Sequence, residues 1–233
     1  MNRALRAQIR GAFSFPEPKR KRAFMQRLRP RGIGMAALVW TQAAYIRRGV
    51  WCACGVALLL ALLGAHRFPR DAARLMGAAL PFAAGIAVLE TRRSRECRMA
   101  ELERATRFSL RSVVFARMAA IGIADLAVIL LSAAALSLGS GRPALRTAAQ
   151  IGAPYLATAW AGLYIERTPL GRNHSYLSMA VAAAVSALAL GGEAIGLPLS
   201  ALPSGAWGAA AGALAVLTAR EVCMTLNMTE EWA

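Results

Sequence analysis

Charged side chains of both signs alternate through the segment Glu90–Arg111, and a short apolar stripe runs among them. Glu103 precedes Arg107 by four residues, a spacing at which opposite charges attract across one turn of a helix. Met99 and Leu102 lie three residues apart and would share one face of that helix. Such a helix can dock on a protein partner, although a charged face that contacts only water is the alternative. The candidate docking residues are Glu96, Met99, Glu101, Leu102, Glu103, Arg107 and Phe108.

Asp125 is a carboxylate inside an otherwise apolar stretch, Ser112–Leu138, that is long enough to cross a bilayer. A carboxylate at membrane depth is costly, and it usually faces the interior of a helix bundle or a water-filled path. Its partner would be Arg117, two turns earlier, or a group on a neighbouring helix. Two interpretations stay open: Asp125 either lines a substrate path or is a neutral, hydrogen-bonded packing residue.

Motifs that would carry catalysis or nucleotide binding are absent from the sequence. It contains no GxxxxGK[ST], HExxH, GxSxG or CxxC pattern. The two histidines, His66 and His174, fall on opposite sides of the predicted membrane, so we expect no metal site, no cofactor and no enzymatic activity. We also expect unpaired thiols, because the four cysteines are not arranged as a disulfide framework: Cys52, Cys54, Cys97 and Cys223.

The elements that must position these residues are apolar stretches that recur six times along the 233-residue chain. Each is near or a little below the roughly 20 residues that a helix needs to cross about 30 Å of hydrocarbon. Hydrophobic residues make up 57% of the chain and the mean hydropathy is +0.44. A chain of this length and composition has room for six spans but not for a separate soluble domain. The sequence therefore predicts an all-α integral membrane protein with six transmembrane helices: Val50–Ala65, Ala73–Leu89, Ser112–Leu138, Ala144–Ile165, Tyr176–Leu190 and Gly205–Ala219.

The positive charge, which gives a formal net charge of +16, lies almost entirely between alternate apolar stretches. This asymmetry is typical of the positive-inside rule and predicts that both termini are cytoplasmic. It also argues against nucleic acid as a partner, because the charge follows topology rather than one binding face. Of the 28 lysines and arginines, only five fall on the opposite side: Arg67, Arg70, Arg74, Arg142 and Arg146.

Two N-terminal segments precede the first span. Residues 1–31 form a basic cytoplasmic leader that would bind anionic lipid headgroups, and residues 32–233 form the transmembrane domain. Within that domain, Ile33–Ile46 is helical in pattern and carries Trp40 and Tyr45, aromatic residues that prefer the membrane interface. We predict an amphipathic helix lying in the cytoplasmic interface. The alternative is the start of one long, tilted first span.

Glycine and proline mark the region of the last span. Gly208 and Gly212 have the GxxxG spacing, which we interpret as close helix packing. The segment 191–204 before this span is apolar but broken by Gly and Pro, and it is either a short dip into the outer leaflet or an ordinary outer loop.

These features together resemble ABC-2-type transporter permeases, and the segment Glu101–Arg117 carries the most local resemblance. The resemblance implies a bacterial inner-membrane permease that pairs with a second permease copy or paralogue. It also implies that a separate ATP-binding cassette subunit docks on a short coupling helix between spans two and three. The helix before the first span would be the connecting helix of that family.

Two other function classes remain as alternatives. The chain is either a non-transporting membrane anchor or regulator that binds a cytoplasmic partner, or a secondary carrier. A secondary carrier would need a coupling-ion site built from broken half-helices in two repeats, and the sequence shows neither feature.

Overall fold

The computed structural model describes residues 34–68, 71–96, 110–169, 176–192 and 202–231, together with residues 171, 174 and 196. Within these residues every regular element is a helix, and there is no strand. The elements in chain order are α1 (Met35–Tyr45), α2 (Arg48–Arg67), α3 (Ala72–Glu96), α4 (Leu110–Ser140), α5 (Ala144–Arg167), α6 (Tyr176–Gly191) and α7 (Ser204–Glu231). Each of the six predicted apolar stretches lies inside one of α2–α7. The predicted leader lies outside the described residues.

The chain breaks between α1 and α2. Arg47 has φ −56° and ψ 139°, an extended backbone conformation that a helix does not contain. The neighbouring Ile46 is buried and belongs, with Val50, to a small apolar cluster completed by Ala120 and Ile121 of α4. The prediction of a separate helix before the first span is therefore confirmed, and the alternative of one continuous helix is wrong.

The boundaries of the charged segment differ from the prediction. The sequence places a loop over residues 90–111, but α3 continues to Glu96 and α4 already begins at Leu110. The apolar pattern stops at Leu89, but the helix continues to Glu96. Glu and Arg are good helix formers, and Glu90 is itself buried. The short coupling helix predicted between spans two and three, over Glu96–Arg107, falls outside the described residues except for Glu96.

Helices α2 and α3 are joined by a short connection, and so are α4 and α5, so each pair runs antiparallel. Both connections lie at the same end of the bundle. We call this the Gly141 end, and it holds the α2–α3 and α4–α5 turns. A Cβ added to Gly64 would lie 3.2 Å from the Cβ of Ala72, and one added to Gly139 would lie 2.9 Å from the carbonyl oxygen of Ala65. Gly141 turns the chain between α4 and α5 with φ +66°, a left-handed conformation that favours glycine.

Helices α3 and α5 occupy the middle of the bundle. Helix α3 packs against α2, α5 and α6, and α5 packs against α4, α6 and α7. Small residues permit this approach: a Cβ on Gly162 would lie 3.1 Å from Val88, and one on Gly85 would lie 3.1 Å from the sulfur of Met179. Lipid tails are as apolar as the core, so van der Waals packing of this kind holds membrane helices together.

Among the described residues, four helices are long and apolar enough to cross a membrane: α2, α3 over Ala72–Thr91, α4 over Arg111–Ser140 and α7 over Ser204–Asn227. Helix α5 has 24 residues, but Arg146, Gln150 and Glu166 shorten its apolar part. Helix α6 has 16 residues, which at 1.5 Å per residue is about 24 Å. In the part of the chain that the structure describes, the regular elements are therefore all helical, and four of the six predicted spans are helices able to cross a membrane.

Candidate functional site: buried polar groups and the cavities beside them

Asp125 lies on the buried face of α4, where its side chain is 3% exposed. The hydroxyl of Tyr155, on α5, donates a hydrogen bond of 2.7 Å to Oδ2. The thiol of Cys54, on α2, donates one of 3.3 Å to Oδ1. These described bonds run to neighbouring helices, which is the second of the two pairings considered for this residue. We call Asp125, Tyr155 and Cys54 the polar triad.

The sequence places the polar triad by helical spacing. Ile121, Val128 and Ile129 are buried on the same face of α4, three or four residues from Asp125. A buried carboxyl group without donors would cost several kcal/mol, on the order of 2–7 for a polar group. One donor to each oxygen offsets much of that cost. The triad therefore ties α2, α4 and α5 together.

A large apolar groove runs along α4, α5 and α7, with a volume of about 1130 Å³. Tyr155 forms part of its wall, and Asp125 lies behind that tyrosine, bonded to its hydroxyl. Gly208 and Gly212 also line the groove, and neither has a neighbour within 4 Å of an added Cβ. The interpretation of this GxxxG pair as close packing within the chain is therefore wrong, because its face opens onto the groove.

A second cavity, of about 800 Å³, opens at the Gly141 end among α3, α5, α6 and α7. We call it the Gly141-end cavity. Its lining combines charged and polar side chains with an aromatic ring and an apolar base. The charged and aromatic members are Asp71, Arg74, Arg142 and Trp207.

The opposite end of the bundle, which we call the Glu166 end, holds three buried carboxylates. Glu90, Glu166 and Glu221 are 5–6% exposed and belong to α3, α5 and α7. The hydroxyl of Thr91 donates to Glu166 at 3.3 Å. Arg167 forms an ion pair with Glu221 at 3.2 Å. Charged side chains thus connect the ends of three helices.

Sequence reasoning did not select these three glutamates. Each follows a predicted apolar stretch by one or two residues, and so each was assigned to the polar side of a boundary. Their shared position could have identified them. Each apolar stretch that runs toward the predicted cytoplasm is followed within two residues by a glutamate. Three carboxylates at one depth on neighbouring helices favour a common cluster.

The selected docking and interfacial residues are only partly within the described chain. Glu96 is the last residue of α3, whereas Met99, Glu101, Leu102, Glu103, Arg107 and Phe108 lie outside the described residues. On α1, Trp40 is 82% exposed and Tyr45 is 73% exposed, while Leu38 is buried. Across the described residues, no three His, Cys, Asp or Glu side chains come together as a metal site.

The fold and these buried groups define a class: over the described residues the chain is helical, with four helices able to cross a membrane and with polar side chains bonded between helices. No known protein family, no curated protein and no solved structure matches the chain.

Proposed function

We propose that the chain is the membrane-spanning permease subunit of an ATP-driven transporter of the ABC type. In this proposal all six helices α2–α7 span the bacterial inner membrane and both termini are cytoplasmic. The Glu166 end then faces the cytoplasm and the Gly141 end faces outward. ATP hydrolysis belongs to a separate subunit, and a second permease copy or paralogue completes the transporter.

The observation that carries the proposal is the charged cluster at the Glu166 end. Helix α3 runs past its buried Glu90 toward residues 97–109, the segment proposed to receive the ATP-binding subunit. Thr91, one residue further, bonds Glu166 of α5, and the adjoining Arg167 pairs with Glu221 of α7. A displacement of the docked segment would therefore reach three helices through bonded side chains, as a conformational switch requires.

Two further features support a permease over a simple anchor. Helix α1 leaves the first span at a sharp break and exposes Trp40 and Tyr45, as an interfacial connecting helix would. The bundle also has cavities on both faces of its central helix α5. A path that alternates between two sides needs such space, whereas an anchor does not. In this path Tyr155 forms part of the wall, and Asp125 accepts the hydrogen bond from its hydroxyl.

The test is association with the ATP-binding protein encoded nearest to this chain, by co-purification in detergent. Leu102→Asp should abolish association, because it puts a charge into the apolar stripe that would bury against the partner at about 25 cal/mol per Å². Ala100→Asp is the matched control: it adds the same charge about 200° away on the same helix and should leave association intact. Equal retention of the ATPase by both variants would refute the docking role. Retention of a partner without nucleotide-binding motifs would favour the anchor or regulator.

A further inference from the structure

We propose that the Gly141-end cavity binds one molecule of a zwitterionic, amine-bearing phospholipid, with the headgroup at its rim and an acyl chain in its base. This inference deepens the proposed function by naming a substrate class, and it rests on that function for the direction of transport. Binding itself requires no ATP-binding subunit, so the two proposals can fail separately.

The rim of the cavity carries charges of both signs. Arg142 stands exposed between α4 and α5, and Arg74 donates to the backbone carbonyl of Leu190 at the end of α6, which fixes its guanidinium at the rim. Guanidinium groups suit phosphate oxygens, since they present several donors in one plane. Asp71 precedes Arg74 by one turn, and side chains at this spacing are about 5–6 Å apart. The carboxylate of Asp71 could therefore contact an ammonium group while the guanidinium groups of Arg74 and Arg142 contact the neighbouring phosphate.

Below the rim the cavity becomes apolar. Its base is formed by side chains of three helices, among them Ala153 and Ala157 of α5, Val185 of α6 and Leu214 of α7. Trp207, on the first turn of α7, lines the cavity between the charged rim and this base. Tryptophan is enriched at the headgroup level of membranes because its ring is apolar and its N–H is polar. Polarity therefore falls along the cavity as it does along a phospholipid.

Acceptor oxygens in the cavity lining favour an amine over a headgroup with negative charge alone. Pro154 has no N–H, so the carbonyl of Gln150 loses its usual helical donor. That oxygen lies 3.8 Å from the position of a Cβ on Gly77, where α3 and α5 come close, and both residues line the cavity. The amide of Gln150 and the carboxylate of Asp71 add further acceptors. An ammonium supplies the donors that these oxygens can use.

The larger groove does not meet the same requirements. Its lining is almost wholly apolar, and its one charged side chain, Arg146, donates to the carbonyl of Leu202 at 3.2 Å. Of these two spaces, only the Gly141-end cavity has both acidic and basic side chains in its lining. The headgroup is therefore assigned to the cavity and not to the groove.

The experiment measures fluorescence quenching by bromine in lipid chains. A variant that keeps Trp207 as its only tryptophan, with Phe at the other four positions, is purified in detergent without any ATP-binding protein. Phosphatidylethanolamine with brominated chains is titrated in, and saturable quenching is expected. Brominated phosphatidylglycerol, which has phosphate but no amine, should need about tenfold more lipid for half-saturation, as one charged contact predicts. Glycerophosphoethanolamine, which lacks chains, should compete only weakly.

Three substitutions make the result specific to the rim. Asp71→Asn should erase the preference for ethanolamine over glycerol, and Arg142→Gln should weaken both lipids about tenfold. Arg146→Gln is the matched control, because it removes the same charge at the same end of the bundle but from the groove. Quenching that does not saturate, or that is equal in all three variants, would overturn the proposal. Full competition by glycerophosphoethanolamine would also overturn it, in favour of a soluble phosphoamine.

Discussion

At the Glu166 end, α5 contacts α3 and α7 through polar and charged side chains. At the Gly141 end, α2 contacts α3 and α4 through glycine and alanine. Thr91, Glu166, Arg167 and Glu221 connect the first three helices through bonds about 3.2–3.3 Å long. The second group is joined by contact of Gly139 with the backbone of Ala65. Bonded side chains can exchange partners as helices move. Backbones in contact can only separate.

In the proposed permease, movement would be carried by the Glu166 end, and the Gly141 end between α2, α3 and α4 would act as a fixed pivot. Interfaces with two alternative arrangements amplify small displacements into larger ones, since packed cores do not deform continuously. The polar triad lies between these ends and joins α2, α4 and α5 at a single carboxylate. Substitutions at these three places separate their roles.

The largest effect should come from Glu221→Gln, which leaves Arg167 without its carboxylate. Removing one partner of a buried ion pair costs about 3–5 kcal/mol, and we expect the lower end because 21% of the Arg167 side chain is exposed. The measurement is the free energy of unfolding in mixed micelles titrated with SDS. Arg220→Gln, an exposed neighbour on the same helix, is the control and should change stability by less than about 0.5 kcal/mol. An equal response of the two variants would mean that the pair contributes nothing to holding α5 and α7.

A smaller loss is expected from Gly139→Ala at the other end. The new Cβ would meet the Ala65 carbonyl oxygen at 2.9 Å, and backbone atoms cannot swing aside as a flexible side chain does. Overpacking of this kind costs about 1–3 kcal/mol. Gly122→Ala in the same helix has no neighbour within 4 Å of the added atom, so it should stabilise α4 by up to about 1 kcal/mol. If both alanines stabilise, measured by the same SDS titration, the pivot is not tightly packed.

The smallest effect should come from the polar triad. Asp125→Asn keeps an acceptor for the Tyr155 hydroxyl, so stability should fall by less than about 1 kcal/mol. Tyr155→Phe should cost more, about 1–2 kcal/mol, because it leaves a buried carboxyl oxygen without its 2.7 Å donor. The ATPase rate of the reconstituted transporter is measured beside stability. An unchanged rate in the Asn variant identifies Asp125 as a packing residue, whereas a loss of rate at unchanged stability makes its charge part of the path.

The approximate positions of the helices followed from the sequence, because each long apolar stretch lies inside one helix. Val50–Ala65 and Tyr176–Leu190, for instance, agree with the bounds of α2 and α6 to within two residues at each end. Asp125 was also recognisable, since a carboxylate in an apolar stretch needs a partner. Its partners were not, because Tyr155 and Cys54 are ordinary residues whose approach depends on how three helices rotate against one another.

The three buried glutamates were missed for a related reason. Hydropathy assigns Glu90, Glu166 and Glu221 to the end of each span, but burial depends on whether the neighbouring helices extend equally far. Here α3 and α7 continue past their apolar parts, to Glu96 and Glu231, so these side chains are enclosed. The cavities likewise depend on packing gaps that no local pattern encodes. The GxxxG face of α7 illustrates this. Its spacing predicts close contact with another helix, but no atom of another described helix lies within 4 Å of a Cβ added at Gly208 or Gly212.

Helix α6 has a consequence for the surrounding membrane. Its 16 residues reach about 24 Å, while the 31 residues of α4 reach about 46 Å. In the six-span arrangement the bilayer beside α6 must therefore thin by several ångströms, since exposing apolar surface to water on either side costs more than compressing lipid chains. Lipids with short or disordered tails would gather there. Hydrophobic mismatch would thus make the rim beside Leu190 and Arg74 the place where a headgroup lies closest to the midplane of the bilayer.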